Sequence, residues 1–267
     1  MNYHNLNNQT VKNNYPLLLI TDLIDNMGSK KVFTKIDLRW GFNNVRIKEG
    51  DEWKEAFTMH VGSFKPTVMF FGITNSPATF QAMINEILRD LINEGKVAAF
   101  VDDVLVGMET EERHDEIMEE ILKRLEENDL YIKPEKCMWK VQKIGFLDVV
   151  IGPNGIEIEK KKVDRVLSWP EPKNVKDVRK FLGLTNYYRR FIKDFAQVTR
   201  PMNMLTRKDV KWVWRESQQK TFDELKGVFM TKPILAAPDL DKEFRVEADT
   251  SNYATGEVLS MKCSDNL

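Results

Sequence analysis

The chain has 267 residues, of which 42% are hydrophobic and 30% charged, with a formal net charge of −1. This composition excludes a disordered tail, and the length suits two compact units with buried cores. Cys137 and Cys263 are the only cysteines, which excludes a disulfide framework and a cysteine-based zinc site and favours a reducing compartment. No apolar stretch reaches the length of a membrane span, so we expect no membrane partner.

The small net charge conceals two regions of opposite sign. Residues 109–129 contain ten acidic and three basic residues, net −7, whereas residues 173–211 contain eleven basic and three acidic residues, net +8. An acidic run of this kind is typical of a solvated helix face. The basic region also contains aromatic residues and is therefore a candidate surface for phosphate groups.

Hydrophobic periodicity divides the first part of the chain into strands and helices. In chain order the pattern predicts a strand over 31–37, a helix from Ser76 to Gly95, a buried strand over 97–106, a helix capped by Thr110, and strands over 130–133 and 144–151. This order is typical of an α+β fold, a split β-α-β sheet with helices on one face.

The pattern changes after a boundary that we place near residues 155–172. Helices are predicted over 174–195 and 216–230, followed by a strand over 244–248 that precedes Asp249. The second part of the chain is therefore expected to be mostly helical.

Asp102 and Asp103 interrupt the apolar run of residues 97–106. An ionised carboxylate is costly to bury without a partner, so the pair needs a cation, a strong donor or an exposed turn. One interpretation is a hairpin turn with two solvated aspartates. The other is a divalent-metal site, because Mg²⁺ prefers hard oxygen ligands and takes carboxylates together with phosphate oxygens.

Asp37 is the candidate third carboxylate of such a metal site. It ends the alternating strand over 31–37, and two such strands side by side would place it opposite Asp102 and Asp103. Metal ions held there could activate an attacking 3′-oxygen and stabilise a leaving pyrophosphate, which is phosphoryl transfer without a protein nucleophile.

Several segments, in this order, resemble the reverse transcriptases of Gypsy-type long-terminal-repeat retrotransposons. They are Phe33-Thr34-Lys35-Ile36-Asp37-Leu38, Phe70-Phe71-Gly72-Ile73-Thr74-Asn75-Ser76-Pro77, Phe100-Val101-Asp102-Asp103, Lys133-Pro134-Glu135-Lys136-Cys137 and Asn186-Tyr187-Tyr188-Arg189-Arg190-Phe191. The resemblance implies a right-hand polymerase palm with partial fingers over residues 1–155. It also implies a thumb and connection over 156–240, and the first strand of a truncated ribonuclease H-like domain over 241–267.

The resemblance also implies roles for single residues. Asp37, Asp102 and Asp103 are expected to bind Mg²⁺ or Mn²⁺, and Lys136 to protonate the leaving pyrophosphate, although a solvated surface lysine is an equally open interpretation. Phe42 is expected as the steric gate against a ribose 2′-OH, with a core phenylalanine as the alternative. The nucleotide-binding loop is expected at Phe71 and Gly72.

The basic region corresponds to the thumb and connection of the family. The residues expected to contact nucleic-acid phosphates are Lys173, Lys176, Arg179, Lys180, Arg189 and Arg190. We expect the nearby Phe181 and Leu182 to be core residues. Residues 144–151 resemble the strands that hold the primer end, but Asp148 stands where a glycine is expected.

The sequence therefore predicts an RNA-directed DNA polymerase from a retrotransposon polyprotein. Its expected partners are an RNA or DNA template with primer, deoxynucleoside triphosphates and the rest of the polyprotein, and a dimer is a further expectation. Its expected location is intracellular: the cytoplasm, a retrotransposon particle or the nucleus. Two alternatives stay open: a decayed or domesticated fragment that binds nucleic acid without polymerising, and a structural subunit of a polymerase dimer. Ribonuclease H activity is not expected, because Asp249 alone cannot hold the required metals.

Overall fold

A computed structural model describes residues 3–16, 18–231, 233–235, 243–250 and 255–261. The chain divides into two units, Met1–Phe146 and Leu147–Leu267, and each is considered by itself. Within the described residues, no helix combines the length and the apolar character that a membrane crossing requires.

The first unit contains a sheet, a short hairpin and several helices. Its helices are α1 (His4–Gln9), α2 (Ile20–Met27), α3 (Ser76–Ile87), α4 (Arg89–Asn93) and α5 (Glu111–Glu127). Its strands are β1 (Val32–Asp37), β2 (Phe57–Met59), β3 (Gly62–Phe64), β4 (Val97–Phe100), β5 (Asp103–Met108), β6 (Met138–Val141) and β7 (Ile144–Phe146). The central sheet has the order β4-β5-β1-β6 and its pairs are antiparallel.

One face of this sheet is packed against α3 and α5. The shared core includes Ile36 and Val104 from the sheet, Phe80 and Ile84 from α3, and Ile121 from α5. Burial of each such side chain contributes about 1.5–3 kcal/mol, so the packing of this layer stabilises the unit. The expected α+β arrangement of a sheet with packed helices is therefore confirmed.

Three predicted elements of the first unit differ from the structure. Residues 97–106 form the hairpin β4–β5 rather than one buried strand, because the chain reverses at Val101, whose φ is +55°. The helix predicted from Ser76 to Gly95 is interrupted at Leu88, with φ −111° and ψ 18°, and continues as α4. The predicted strand over 130–133 is reduced to a single bridge between Leu38 and Ile132.

The second unit is mostly helical, as the sequence predicts. Its helices are α6 (Lys160–Leu167), α7 (Val175–Tyr187), α8 (Phe195–Met204) and α9 (Glu216–Met230), and its strands are β8 (Val149–Gly152), β9 (Gly155–Ile158), β10 (Ile234–Leu235), β11 (Phe244–Thr250) and β12 (Thr255–Met261). Strands β8 and β10 both pair antiparallel with β9, and β11 pairs with β12. The helix predicted over 174–195 ends at Tyr187, and α8 begins only at Phe195.

Aromatic rings form the core between the helices of the second unit. The centroids of Phe181 and Phe222 are 4.7 Å apart, and those of Tyr188 and Phe229 are 5.6 Å apart. Phe181 and Leu182 are buried, which confirms the prediction that both belong to the core. The side chain of Asp249 lies outside the described part of the structure.

Candidate active site

The register of β1 and β5 brings two of the predicted acids together. Asp37 and Asp103 are direct partners across this antiparallel pair, so their side chains project from the same face of the sheet. That face is opposite to the one that α3 and α5 cover, because neighbouring residues such as Ile36 and Val104 point the other way. The strand pairing predicted from the sequence therefore places these carboxylates side by side.

Asp102 lies in the turn that joins β4 to β5, and its backbone is tied to the end of β1. The Leu38 N–H donates to the Asp102 carbonyl oxygen at 3.2 Å. A Cβ atom placed on Gly41, which has φ +46°, would lie 3.9 Å from the Asp102 Cβ. Asp37, Asp102 and Asp103 thus occupy one end of the sheet, next to the segment that follows β1.

A buried glutamine on α3 holds this turn. The side chain of Gln81 is 1% exposed, donates to the Ala99 carbonyl oxygen at 3.0 Å and accepts from the Val101 N–H at 2.7 Å. Both hydrogen bonds join α3 to the turn and stabilise the left-handed conformation of Val101. Sequence reasoning did not identify Gln81 as a site residue, although a polar side chain on the apolar face of a helix was an available signal.

Two lysines lie against the carboxylates. Lys133 Nζ is 3.0 Å from Asp37 Oδ1, and Lys35 Nζ is 3.0 Å from Asp103 Oδ1. Asp37 Oδ1 is nevertheless buried and, among the described residues, has no hydrogen bond of acceptable geometry. Such an oxygen is costly unless positive charge lies nearby, and in this structure the Lys133 ammonium supplies that charge.

The carboxylates fit a divalent cation by their chemistry. Carboxylate oxygens are the ligands that Mg²⁺ and Mn²⁺ prefer, and Asp37 Oδ1 is an acceptor that lacks a well-oriented donor. Across the described residues, no three acidic, imidazole or thiol side chains already stand as a metal-binding group. The fold therefore places Asp37 beside Asp103, with Asp102 in the adjoining turn, and lysine ammonium groups neutralise Asp37 and Asp103.

Lys136 does not contact these acids in the way that Lys133 does. It is exposed at the end of the short 3₁₀ helix Pro134–Lys136. Lys133, three residues earlier, makes the ion pair, and its N–H also donates to the Asp37 carbonyl oxygen at 2.9 Å. Sequence reasoning missed Lys133, because only tertiary pairing shows which lysine of the segment faces the acid.

Phe42 and Phe71 form an edge-to-face pair. Their centroids are 4.8 Å apart, and Phe42 also contacts Phe80 at 5.8 Å. Phe42 is 7% exposed, whereas Phe71 is 73% exposed. Phe42 thus belongs to the core cluster while its ring also supports a solvent-facing aromatic, an arrangement that accommodates both interpretations of Phe42 made from the sequence.

The N-terminal segment braces the loop that contains Phe71 and Gly72. Gly72 has φ +99°, a conformation that favours glycine. The Asn7 side-chain amide donates to the Gly72 carbonyl oxygen at 2.7 Å, and its oxygen accepts from the Thr74 N–H at 2.9 Å. Sequence reasoning missed Asn7, because the contact joins residues 65 positions apart.

The predicted phosphate-contacting residues lie on or next to α7 in the second unit. All six are exposed: Lys173, Lys176, Arg179, Lys180, Arg189 and Arg190. The buried side of α7 carries Val178, Phe181, Leu182 and Thr185. Helical periodicity therefore separates an apolar inner face from a basic outer face, which the charge pattern of the sequence already indicated.

Comparison with known proteins gives independent support for the family. Residues 1–186 match the family model described as "Reverse transcriptase (RNA-dependent DNA polymerase)", and residues 214–267 match an RNase H-like domain found in reverse transcriptase. The chain is 36% identical over 266 residues to the Transposon Tf2-3 polyprotein of Schizosaccharomyces pombe. That alignment covers 100% of this chain and 20% of the polyprotein, so the chain spans about a fifth of this relative.

Solved structures of foamy viral protease-reverse transcriptase share the fold. The complex with an RNA/DNA hybrid matches with a TM-score of 0.83 at 22% identity, covering 97% of this chain and 35% of that one. A complex with dsDNA matches with a TM-score of 0.86 at 22% identity, covering 99% and 55%. The resemblance to a retrotransposon reverse transcriptase is thereby confirmed, and the chain belongs to the reverse transcriptase (RNA-dependent DNA polymerase) family.

Proposed function

We propose that the chain adds deoxynucleotides to a primer 3′-OH on an RNA or DNA template, with Asp37, Asp102 and Asp103 as the ligands of Mg²⁺ or Mn²⁺. The observation that carries this proposal is the register of β1 and β5, which makes Asp37 and Asp103 direct partners beside the Asp102 turn. When bound, divalent ions supply the positive charge that activates the 3′-oxygen and neutralises the leaving pyrophosphate.

The lysines of the site balance its charge. Carboxylates brought side by side repel one another, and Lys35 and Lys133 offset that repulsion. In this proposal both lysines move away from the acids when divalent ions bind. Lys136, which is exposed, is the proposed proton donor to pyrophosphate.

Phe42 is the proposed gate against ribonucleotides. Its ring is fixed by contacts with Phe71 and Phe80, and a fixed ring excludes a 2′-OH better than a mobile one. Gly72 follows Phe71 with a backbone conformation suited to close approach of a ligand. We therefore propose that Phe42, Phe71 and Gly72 contact the incoming deoxynucleotide.

The six exposed basic residues on or next to α7 are the proposed contacts to template and primer. Their support is their exposure, with the basic residues of α7 opposite its buried side, and the RNA/DNA hybrid and dsDNA in the similar foamy viral complexes. Contacts to phosphates give affinity without sequence preference that falls steeply with salt. The rest of a polyprotein is a further proposed partner. We propose that the chain acts in the cytoplasm, in a retrotransposon particle or in the nucleus. Light scattering would test whether it forms a dimer.

Primer extension on an RNA template with Mg²⁺ tests the polymerase proposal. Asp103→Asn should lower extension by about a hundredfold or more, because it removes a proposed metal ligand. Asp129→Asn is the matched control: it removes the same charge from an exposed turn in the same unit. Equal extension by both variants contradicts the proposed role of Asp103.

The same experiment separates polymerisation from nucleic-acid binding alone. The specific observation that favours a binding-only chain is the lysine pairing of Asp37 and Asp103. A binding-only chain would bind primer-template with unchanged affinity in the Asp102→Asn and Asp103→Asn variants, and no variant would extend the primer.

The phosphate contacts have a test of their own. If Arg179 contacts one phosphate, Arg179→Gln should reduce the slope of log affinity against log salt by about 0.9.

A further inference from the structure

The turn at Leu147 and Asp148, directly before β8, has an unusual backbone. Both residues are in the left-handed region, with φ +47° and +66°. Consecutive residues of this kind are typical of turns that use Asn-Gly, Asp-Gly or Gly-Gly, and a leucine with a full side chain is disfavoured there. The sequence of the turn therefore does not explain its conformation, and its surroundings must contribute.

Side chains from two helices hold both carbonyl oxygens and the acid of this turn. The Tyr187 hydroxyl donates to the Leu147 carbonyl oxygen at 2.7 Å, and the Tyr188 hydroxyl lies 3.5 Å from the Asp148 carbonyl oxygen. Lys162 Nζ is 2.9 Å from Asp148 Oδ1. All of these residues lie within the second unit.

Ring contacts hold Tyr187 and Tyr188 in place at the end of α7. Tyr188 is 1% exposed, and its ring packs edge-to-face against Tyr187 at 4.9 Å and Phe229 at 5.6 Å. Burial raises the pKa of both tyrosine hydroxyls above the usual value, so both groups stay protonated donors at neutral pH. Tyr187 is 41% exposed, so its position depends on the ring contact with the buried Tyr188.

We propose that Tyr187 and Lys162 are positioning residues that hold the Leu147–Asp148 turn in its left-handed conformation and thereby compensate for the missing glycine at 148. The short Tyr187 bond is the main contact, because it holds the backbone carbonyl of Leu147, whereas the partly exposed Asp148–Lys162 ion pair holds only a side chain. The turn lies in the segment over 144–151 that resembles the primer-holding strands, so its effect on primer binding rests on the proposed function.

A double-mutant design tests the compensation. Tyr187→Phe removes only the hydroxyl, and it is made in the natural chain and in a chain carrying Asp148→Gly. In the natural chain, hydrogen exchange of the amides over 144–152 should accelerate by about 2–10-fold, the equilibrium effect of one hydrogen bond. Adding Asp148→Gly to the Tyr187→Phe chain should slow exchange back toward the natural rate, because glycine adopts positive φ without strain.

Tyr131→Phe is the matched control, since Tyr131 is an exposed tyrosine of the other unit. It should leave exchange over 144–152 unchanged. No acceleration by Tyr187→Phe in the natural chain, or no recovery when Asp148→Gly is added to the Tyr187→Phe chain, overturns the proposal. Lys162→Met should produce a smaller acceleration than Tyr187→Phe, and the reverse order contradicts the assignment of Tyr187 as the main contact.

Primer-template affinity at fixed salt gives a second readout. In the natural chain, Tyr187→Phe should weaken primer-template binding by a factor similar to its effect on hydrogen exchange. Adding Asp148→Gly should recover most of the lost affinity. If exchange responds and primer affinity does not, the positioning role toward the primer is overturned. If the natural chain binds no primer-template at all, the proposed function fails, whereas the exchange data still decide whether the turn is held by Tyr187.

Discussion

His114 should make the first unit less stable as the pH falls below neutrality. Its side chain lies on α5 with 1% exposure, and within the described part of the chain neither ring nitrogen has a hydrogen-bond partner. Burial lowers the pKa of this imidazole, although Asp115, whose Oδ1 is 3.8 Å from Nδ1, acts in the opposite direction. Asp115 also pairs with Lys140 at 2.7 Å, which limits its effect on the histidine.

The sign and size of the effect follow from proton linkage. Because the folded-state pKa lies below the unfolded value of about 6.5, the unfolded chain takes up a proton first as the pH falls. The contribution of neutral His114 is therefore complete above about pH 6.5. It is lost toward lower pH at up to about 1.4 kcal/mol per unit, until the folded-state pKa is reached.

Urea unfolding at pH 7.5 and 5.5, followed by circular dichroism, measures this loss. The natural chain should lose up to about 1.4 kcal/mol between these pH values through His114, and His114→Leu should lose correspondingly less. Glu109 and Asp115 have pKa values lowered by their lysine partners, so their stabilisation is lost only in more acidic solution. Equal losses in both proteins would refute the role assigned to His114.

Three further substitutions test separate contacts. Gly155→Ala should destabilise the second unit by at least about 2 kcal/mol, because Gly155 has φ +114° and a Cβ would overlap the Leu235 carbonyl oxygen; an unchanged melting temperature would contradict this. Asn7→Asp removes the donor to the Gly72 carbonyl oxygen and should raise hydrogen exchange in that loop about 2–10-fold, whereas unaltered exchange would show that the contact is dispensable. Thr110→Ala removes the cap of α5 and should cost about 1 kcal/mol in urea unfolding, and a cost near zero would mean that the cap is not used.

Local patterns predicted several elements well. Thr110 caps α5 as predicted, and Ile117, Ile121 and Leu125 lie at helical spacing on its buried face. The helix predicted over 216–230 is α9 (Glu216–Met230). These elements could be predicted because capping and 3.6-residue periodicity depend on residues close together in the sequence.

Contacts between distant residues could not be predicted in this way. The reversal at Val101 depends on Gln81, and the pairing of Asp37 depends on Lys133 rather than on Lys136. In each case several nearby residues have suitable chemistry. Only the packed structure selects one of them, because the distance between two side chains depends on strand register and helix orientation.

The sequence by itself determined the family, the acids at the ends of their strands and the basic outer face of α7. The order of motifs and the short-range periodicity can be read directly from the sequence. Only the tertiary structure decided that Asp103 rather than Asp102 is the register partner of Asp37, that lysine ammonium groups neutralise Asp37 and Asp103, and that Tyr187 supports the Leu147 turn. These contacts join residues dozens of positions apart, and their energies exist only when folding has brought the partners within a few ångströms.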